Sequence, residues 1–113
     1  MEQEFGISGQ RRDGVSVIAP YGEIDVATAP GLRDHLDKVI RRESGPVVVD
    51  LTSVTFIDST GLGVLIGAQK RCDEAEREMR VVVSEPRIRK VFEITGLTDY
   101  FAMHDSLEPA LEA

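Results

Sequence analysis

The chain has 113 residues, of which 42% are hydrophobic and 29% charged, and its 13 Lys and Arg against 20 Asp and Glu give a formal net charge of −7. This length and composition predict one globular domain spanning residues 1–113 and argue against a disordered chain. Because binding to a phosphate backbone needs clustered Lys and Arg, we expect no nucleic-acid partner, whereas an acidic surface suits a basic protein.

The first half of the chain predicts a hairpin, a helix and a buried strand. Apolar and polar residues alternate over 5–21 on either side of a turn at 11–14, which is typical of a β-hairpin. A helix with a charged outer face then begins at Thr28 and Pro30, and Gly45 ends it. The segment 47–51 begins with three consecutive β-branched residues, Val47 to Val49, and predicts a central strand that is covered on both faces.

The second half is organised around the turn Asp58-Ser59-Thr60-Gly61, whose small polar residues precede an apolar helical pattern and so indicate a helix N-terminus. After a polar spacer at 73–78, we expect a strand at 79–83, a helix from Pro86 to Gly96 with Ile94 inside, a strand at 100–103 and a terminal helix capped by Asp105 with Glu108.

The predicted order β-β-α-β-α-β-α-β-α indicates a mixed α/β fold, with a central mixed sheet of about four to five strands and about four helices. Two glycines interrupt the second helix. Gly63 and Gly67 each cost about 1 kcal/mol relative to alanine there. A close approach of this helix to the sheet, or to a partner protein, would explain both glycines.

Several chemistries lack the residues that they need. His35 and His104 are isolated, so we expect neither a metal site nor a cofactor. Ser59 is not in a G-x-S-x-G setting and the chain has no phosphate-binding G-x-x-x-x-G-K-[ST] loop, so we predict that it is not an enzyme. Cys72 is alone and is expected to be a buried thiol. With no apolar run near the roughly 20 residues that span a bilayer, we expect no membrane partner and a cytoplasmic location.

Two positions compete as a phosphate acceptor. Asp50 ends the central strand, as the phosphorylated aspartate of a receiver domain does. Such a domain also needs an acidic pair after its first strand, but the first strands here are followed by Arg11-Arg12-Asp13 and Tyr21-Gly22-Glu23. The other position is the hydroxyl pair Ser59 and Thr60 at the start of the second helix. A phosphate there would add roughly −1.5 to −2 charges, favoured by the helix dipole and opposed by Asp58. The same hydroxyls could instead serve only to cap the helix.

The segment FIDSTGLGVLIGAQKR resembles the signature of the anti-sigma-factor antagonists, which are single-domain bacterial members of the STAS family. The resemblance extends over nearly the whole chain. Gly22-Glu23-Ile24-Asp25 is similar to the family's G-E-[LI]-D, residues 47–51 to its central strand, and FEITGL at 92–97 to its late helix and turn.

This resemblance implies a STAS-type fold and a phosphorylated serine at Ser59. It implies that the unphosphorylated protein binds an anti-sigma factor that is also a serine kinase and thereby frees the sigma factor. The kinase then phosphorylates Ser59 and is released, and a PP2C-type phosphatase resets the protein. Carried over residue by residue, the expected partner-binding surface consists of Glu23, Asp25, Asp58, Thr60, Gly61 and Gly63.

Two physical features suit this interpretation. Gly61 and Gly63 lack side chains beside the hydroxyl, which would let a partner approach the backbone closely. Glu23, Asp25 and Asp58 would form an acidic rim, and a phosphate of roughly −2 charges added among them should repel an interface built on complementarity. Asp25 has an equally simple structural interpretation as a turn or cap residue near Thr28. The alternative function keeps the fold: a STAS subunit of a transporter or of a larger signalling assembly that is never phosphorylated.

Overall fold

The computed structural model describes residues 4–113. Six strands and four helices follow one another along these residues. They are β1 (Phe5–Arg12), β2 (Val15–Ile24), α1 (Ala29–Arg42), β3 (Val47–Asp50), β4 (Ser53–Ile57), α2 (Ser59–Glu74), β5 (Met79–Val82), α3 (Pro86–Ile94), β6 (Ala102–His104) and α4 (Leu107–Glu112). In this part of the chain, every helix is too short or too polar to span a bilayer.

All six strands form one mixed sheet in the order β1-β2-β3-β5-β6, with β4 alongside the end of β2. β1 and β2 are antiparallel, and the other pairings are parallel. The predicted mixed α/β class is therefore confirmed. The sheet has one strand more than the sequence predicted, because β4 buries only Val54 and Ile57 and lacks a regular alternation.

The predicted hairpin turn lies between β1 and β2. Asp13 and Gly14 both have positive φ, 52° and 81°. A two-residue loop with this geometry is a type I′ turn, whose twist matches that of the flanking strands. The register between β1 and β2 runs without a bulge from Arg12 opposite Val15 to Phe5 opposite Gly22.

The helices cover the two faces of the sheet unequally. α1, α2 and α3 bury the main core on one face through side chains such as Leu36, Leu65 and Phe92. α4 covers a smaller cluster on the other face, where Val48 and Val82 pack around Ala110. Alternate residues of β3 and β5 thus face opposite helices, which explains why Val47, Val48 and Val49 are all apolar.

Several predicted details near the C-terminus are wrong. Ile94 is 74% exposed, because it lies at the last turn of α3, beyond the apolar face. The last strand is Ala102–His104 instead of 100–103. Ser106 precedes α4 as its N-cap and makes no side-chain capping bond. The Asp105 carboxylate contacts the Arg89 guanidinium instead of capping α4.

The spacer predicted at 73–78 contains a buried arginine. Arg77 is only 7% exposed, and its guanidinium donates to the backbone carbonyls of Val39, Ile40 and Gly45. It also donates to the hydroxyl of Ser16. Arg77 therefore supplies side-chain donors to carbonyls at and just beyond the C-terminal end of α1, where the last helical turn leaves carbonyls without helical partners. The Val39 carbonyl also accepts from the Glu43 amide.

Candidate functional site

The turn at 22–25 and the turn at 58–61 lie side by side at the carboxyl ends of β2 and β4. β2 and β4 run parallel, with Glu23 opposite Phe56 and Ile24 opposite Ile57. The Asp58 amide then donates to the carbonyl of Ile24, 3.2 Å away. Because parallel strands end at the same edge, the turn after β2 and the start of α2 form one surface. The two turns from which the resemblance builds a partner-binding surface are therefore neighbours in the fold.

Asp58 is the N-cap of α2. Its backbone is extended, and its carboxylate accepts hydrogen bonds from the amides of Thr60 at 3.0 Å and Gly61 at 3.1 Å. An N-cap carboxylate satisfies amides that lack a helical partner and also benefits from the helix dipole. The capping role considered for the hydroxyls of Ser59 and Thr60 is therefore performed by Asp58.

Ser59 is the first residue of α2 and is exposed, as is Thr60. Among residues 4–113, no hydrogen bond is formed by the side-chain hydroxyl of Ser59. Its oxygen is consequently free of any structural task in this part of the chain. A group added to it would meet solvent and the positive end of the α2 dipole.

Asp25 shapes the neighbouring turn. Its carboxylate accepts from the amides of Ala27 at 2.9 Å and Thr28 at 3.1 Å. The Thr28 hydroxyl donates in turn to the carbonyl of Glu23. The structural interpretation of Asp25 as a turn residue near Thr28 is confirmed. The Glu23 side chain is half-buried on the same turn, after Gly22, whose φ of +91° suits glycine.

The two glycines expected to lie beside the hydroxyl differ in their surroundings. A Cβ on Gly61 would lie 2.7 Å from side-chain atoms of both Ile24 and Ile57, so Gly61 faces the core and allows α2 to approach the sheet. A Cβ on Gly63 would meet no atom within 4 Å, and Gly63 is exposed. Close approach to the sheet therefore explains Gly61 and not Gly63, for which approach of a partner remains the prediction.

A groove runs between α1 and α2 next to Thr60. Its volume is about 400 Å³, and its walls carry Arg33 and Arg71 beside Gly63 and Gly67. The Arg71 guanidinium lies over Gly67, 3.3 Å from where a Cβ would be, and pairs with Asp37 at 2.6 Å. The sequence does not single out these arginines as part of a site, because each stands on a charged helix face, and such a face indicates only solvent exposure.

Exposed apolar side chains adjoin the two turns. Val26 directly follows Asp25 and is 74% exposed, and Phe56 is 45% exposed two residues before Asp58. The surface therefore combines carboxylates with apolar groups, as protein interfaces do. The sequence signal that could have revealed it is an apolar residue at a turn, where packing does not require one.

Other reactive groups are held in structural roles. Burial raises the pKa of the Cys72 thiol to about 11, which keeps it protonated and unreactive at neutral pH. The Asp50 carboxylate accepts from the amide and hydroxyl of Thr52 and so shapes the turn before β4. Across residues 4–113, no three His, Cys, Asp or Glu side chains converge in a way that could hold a metal ion.

Comparisons with known proteins agree on one family. The model of the STAS domain matches residues 7–110. An anti-sigma-B factor antagonist of Staphylococcus aureus is 34% identical over 87 residues, which cover 77% of this chain and 81% of that protein. The crystal structure of an anti-sigma factor antagonist from Mycobacterium paratuberculosis has a TM-score of 0.88 at 31% identity, covering 96% of this chain and 92% of that one. The Bacillus cell fate determinant SpoIIAA in its phosphorylated form shares the fold, with a TM-score of 0.70 at 22% identity and 96% coverage of each chain.

Proposed function

The chain belongs to the STAS domain family, and we propose that it is an anti-sigma-factor antagonist whose single domain switches partners through phosphorylation of Ser59. In its unphosphorylated form it binds an anti-sigma factor that is also a serine kinase, and so frees the sigma factor. The kinase phosphorylates Ser59 and releases the protein, and a PP2C-type phosphatase restores the hydroxyl. The names of its relatives support the proposal that the chain is an anti-sigma-factor antagonist.

The single observation that carries the proposal is that the helix cap and the free hydroxyl at the start of α2 belong to two different residues. Asp58 caps the helix, and the Ser59 hydroxyl next to it is exposed and without a hydrogen-bond partner among residues 4–113. A kinase can therefore modify Ser59 without removing any bond that holds the fold. The dipole of α2 offsets part of the unfavourable charge of a phosphate next to Asp58.

The size and hydration of a phosphate explain how it would release a partner that is fitted to the small Ser59 hydroxyl. Glu23, Asp25 and Asp58 already present carboxylates around Ser59, so the unphosphorylated surface suits a partner with basic groups. A phosphate on Ser59 adds a bulky group with roughly −1.5 to −2 charges beside Asp58. A partner that fits closely around the hydroxyl has no space for this group and would have to strip it of water. Loss of about 3 kcal/mol of binding free energy would weaken the complex more than a hundredfold.

The alternative function is a STAS subunit of a transporter or a larger signalling assembly that is not phosphorylated. It uses the same fold and predicts no dependence on the hydroxyl. The accessible Ser59 beside an acidic turn favours the switch, since a purely structural helix start has no need of an unbonded hydroxyl there.

The test is binding of the anti-sigma factor that co-purifies from the native cell, measured by calorimetry with two variants. Ser59→Asp is expected to lose binding by a hundredfold or more, whereas Ser59→Ala keeps wild-type affinity and cannot be released by ATP. Ser53→Asp is the matched control, because it adds the same charge at an exposed serine at the other end of β4. Equal affinities of the Ser59→Asp and Ser59→Ala variants would refute the switch.

A further inference from the structure

The outer side of β1 is a free sheet edge. β1 pairs with β2 along its whole length and, among residues 4–113, no other strand lies beside it. It is a long strand for an edge, from Phe5 to Arg12, and it contains no proline or bulge. Residues Ser8 to Arg11 are exposed. An edge of this kind offers unpaired backbone groups to another strand.

The hairpin turn fixes which backbone groups of β1 point outward. A two-residue type I′ loop is closed by a hydrogen-bonded pair, here Arg12 with Val15, and hydrogen-bonded pairs then recur at every second residue. Pro20 provides an independent check. It has no N–H to give, and it lies opposite Ile7, which this alternation makes a pair without hydrogen bonds.

The residues whose amide and carbonyl groups face away from β2 are therefore Phe5, Ile7, Gly9 and Arg11. In an antiparallel pairing of two identical strands centred on Ser8, each of these residues meets another of the same set. Phe5 lies opposite Arg11 of the second copy, and Ile7 lies opposite Gly9. Every one of these pairs can exchange two hydrogen bonds. A shift of two residues is the smallest that keeps the outward-facing groups opposite one another, and it leaves one end of each strand unpaired.

We propose that β1 binds β1 of a second copy of this chain in this register, joining the two sheets into one. The charges at the strand ends favour the same arrangement. It sets Glu4 of each copy directly opposite Arg12 of the other, at a position without hydrogen bonds, where facing side chains come closest. Glu4 is exposed, and the one ion pair of Arg12 within the described residues is a contact with Glu108 at 3.5 Å.

The side chains on this face of β1 leave room for the second copy. Between Glu4 and Arg12, β1 itself carries only Gly6, Ser8 and Gln10 on this face, and the Tyr21 ring of β2 lies over Gly6. The crossing point at Ser8 brings two small hydroxyl side chains together. Two paired edge strands bury less area than a standard stable interface, so the dimer is weak and reversible. The dimer contact lies on β1, whereas the surface around Ser59 lies on other elements of the chain.

Sedimentation equilibrium measures this association directly. The weight-average mass is expected to rise from 12.4 kDa toward twice that value as the concentration increases from about 10 µM to about 1 mM. Glu4→Arg and Arg12→Glu each weaken the dimer about tenfold by placing like charges opposite one another, and the double variant restores it. A mass that stays at 12.4 kDa throughout, or a double variant no better than the single ones, overturns the proposal.

Cysteine cross-linking tests the register independently. Ser8→Cys places two thiols opposite each other across the dyad and is expected to give a disulfide-linked dimer with oxidised glutathione. Gln10→Cys is the matched control on the same face, because its thiol meets Gly6 of the second copy. Cys72 is buried and does not compete. Equal cross-linking of the two variants, or none with Ser8→Cys, contradicts the pairing.

Discussion

Replacing Gly61 or Gly63 with alanine makes the same chemical change two residues apart in α2, with opposite expected effects on stability. A Cβ on Gly61 would lie 2.7 Å from Cγ2 of Ile24 and 2.7 Å from Cγ1 of Ile57. Ordinary contacts between carbon atoms are about 3.5 to 4.0 Å. Both Cγ atoms are attached directly to the Cβ of a stiff β-branched side chain, so neither can move aside without shifting its strand or leaving its rotamer.

The size of the effect follows from two opposing contributions. Forcing a methyl group into this packed contact costs about 1 to 3 kcal/mol, while alanine in place of glycine in a helix gains about 1 kcal/mol. Gly61→Ala is therefore expected to lower the free energy of unfolding by up to about 2 kcal/mol. Gly63→Ala meets no atom within 4 Å and is expected to raise it by up to about 1 kcal/mol.

Urea unfolding followed by circular dichroism measures both variants on the same scale, and each controls for the other. Equal stability of the two variants would show that α2 does not approach β2 and β4 at Gly61 as described. Calorimetry with the anti-sigma factor adds a second readout. If a partner approaches α2 at Gly63, the more stable Gly63→Ala variant binds more weakly, so the loss of affinity cannot be attributed to unfolding.

Three further predictions concern other parts of the fold. Asp58→Ala is expected to cost about 1 kcal/mol in urea unfolding because two amides of α2 lose their acceptor, and Asp58→Ser, which can still cap, should recover most of it. Arg77→Met is expected to cost about 3 kcal/mol, since carbonyls at the end of α1 lose buried donors, and an unchanged urea midpoint would contradict the capping role of Arg77. The raised pKa of Cys72 predicts that stability is unaffected below pH 9 and falls by about 1 to 3 kcal/mol between pH 9 and 11, because the thiol ionises first in the unfolded chain. The Cys72→Ala variant should lack this fall in stability between pH 9 and 11. Parallel curves of unfolding free energy against pH for the variant and the wild-type protein would contradict the prediction.

The sequence predicted the elements with strong periodicity and missed what depends on distant contacts. The apolar spacing of α1 and α2 and the continuous valine run of β3 predict these three elements directly. β4 is a short strand in which only Val54 and Ile57 are buried, so its residues look like part of a loop. Its pairing with the end of β2, across a register shift after Gly22, is a tertiary feature. The same pairing creates the site, because it brings Glu23 alongside the approach to Asp58.

Arg77 and the glycines of α2 also have surroundings that the sequence alone does not reveal. Arg77 stands in a run of charged residues, and only its fit against the end of α1 accounts for its burial. The glycines of α2 look alike in sequence, yet packing requires Gly61 and leaves Gly63 open. Resemblance to a family identified Ser59 as the residue of interest, whereas only the coordinates reveal that Asp58 performs the capping and leaves the Ser59 hydroxyl without that task.

Intact mass spectrometry of the protein, after incubation with ATP and its co-purified anti-sigma factor, tests the central claim most directly when the same sample is then analysed for complex formation. The account predicts one added phosphate, mapping to Ser59, with dissociation of the complex in proportion to its incorporation. The Ser59→Ala variant should gain no phosphate and remain bound. A protein that stays unmodified, a phosphate that maps to Thr60 instead, or a phosphorylated protein that remains in the complex would contradict the account.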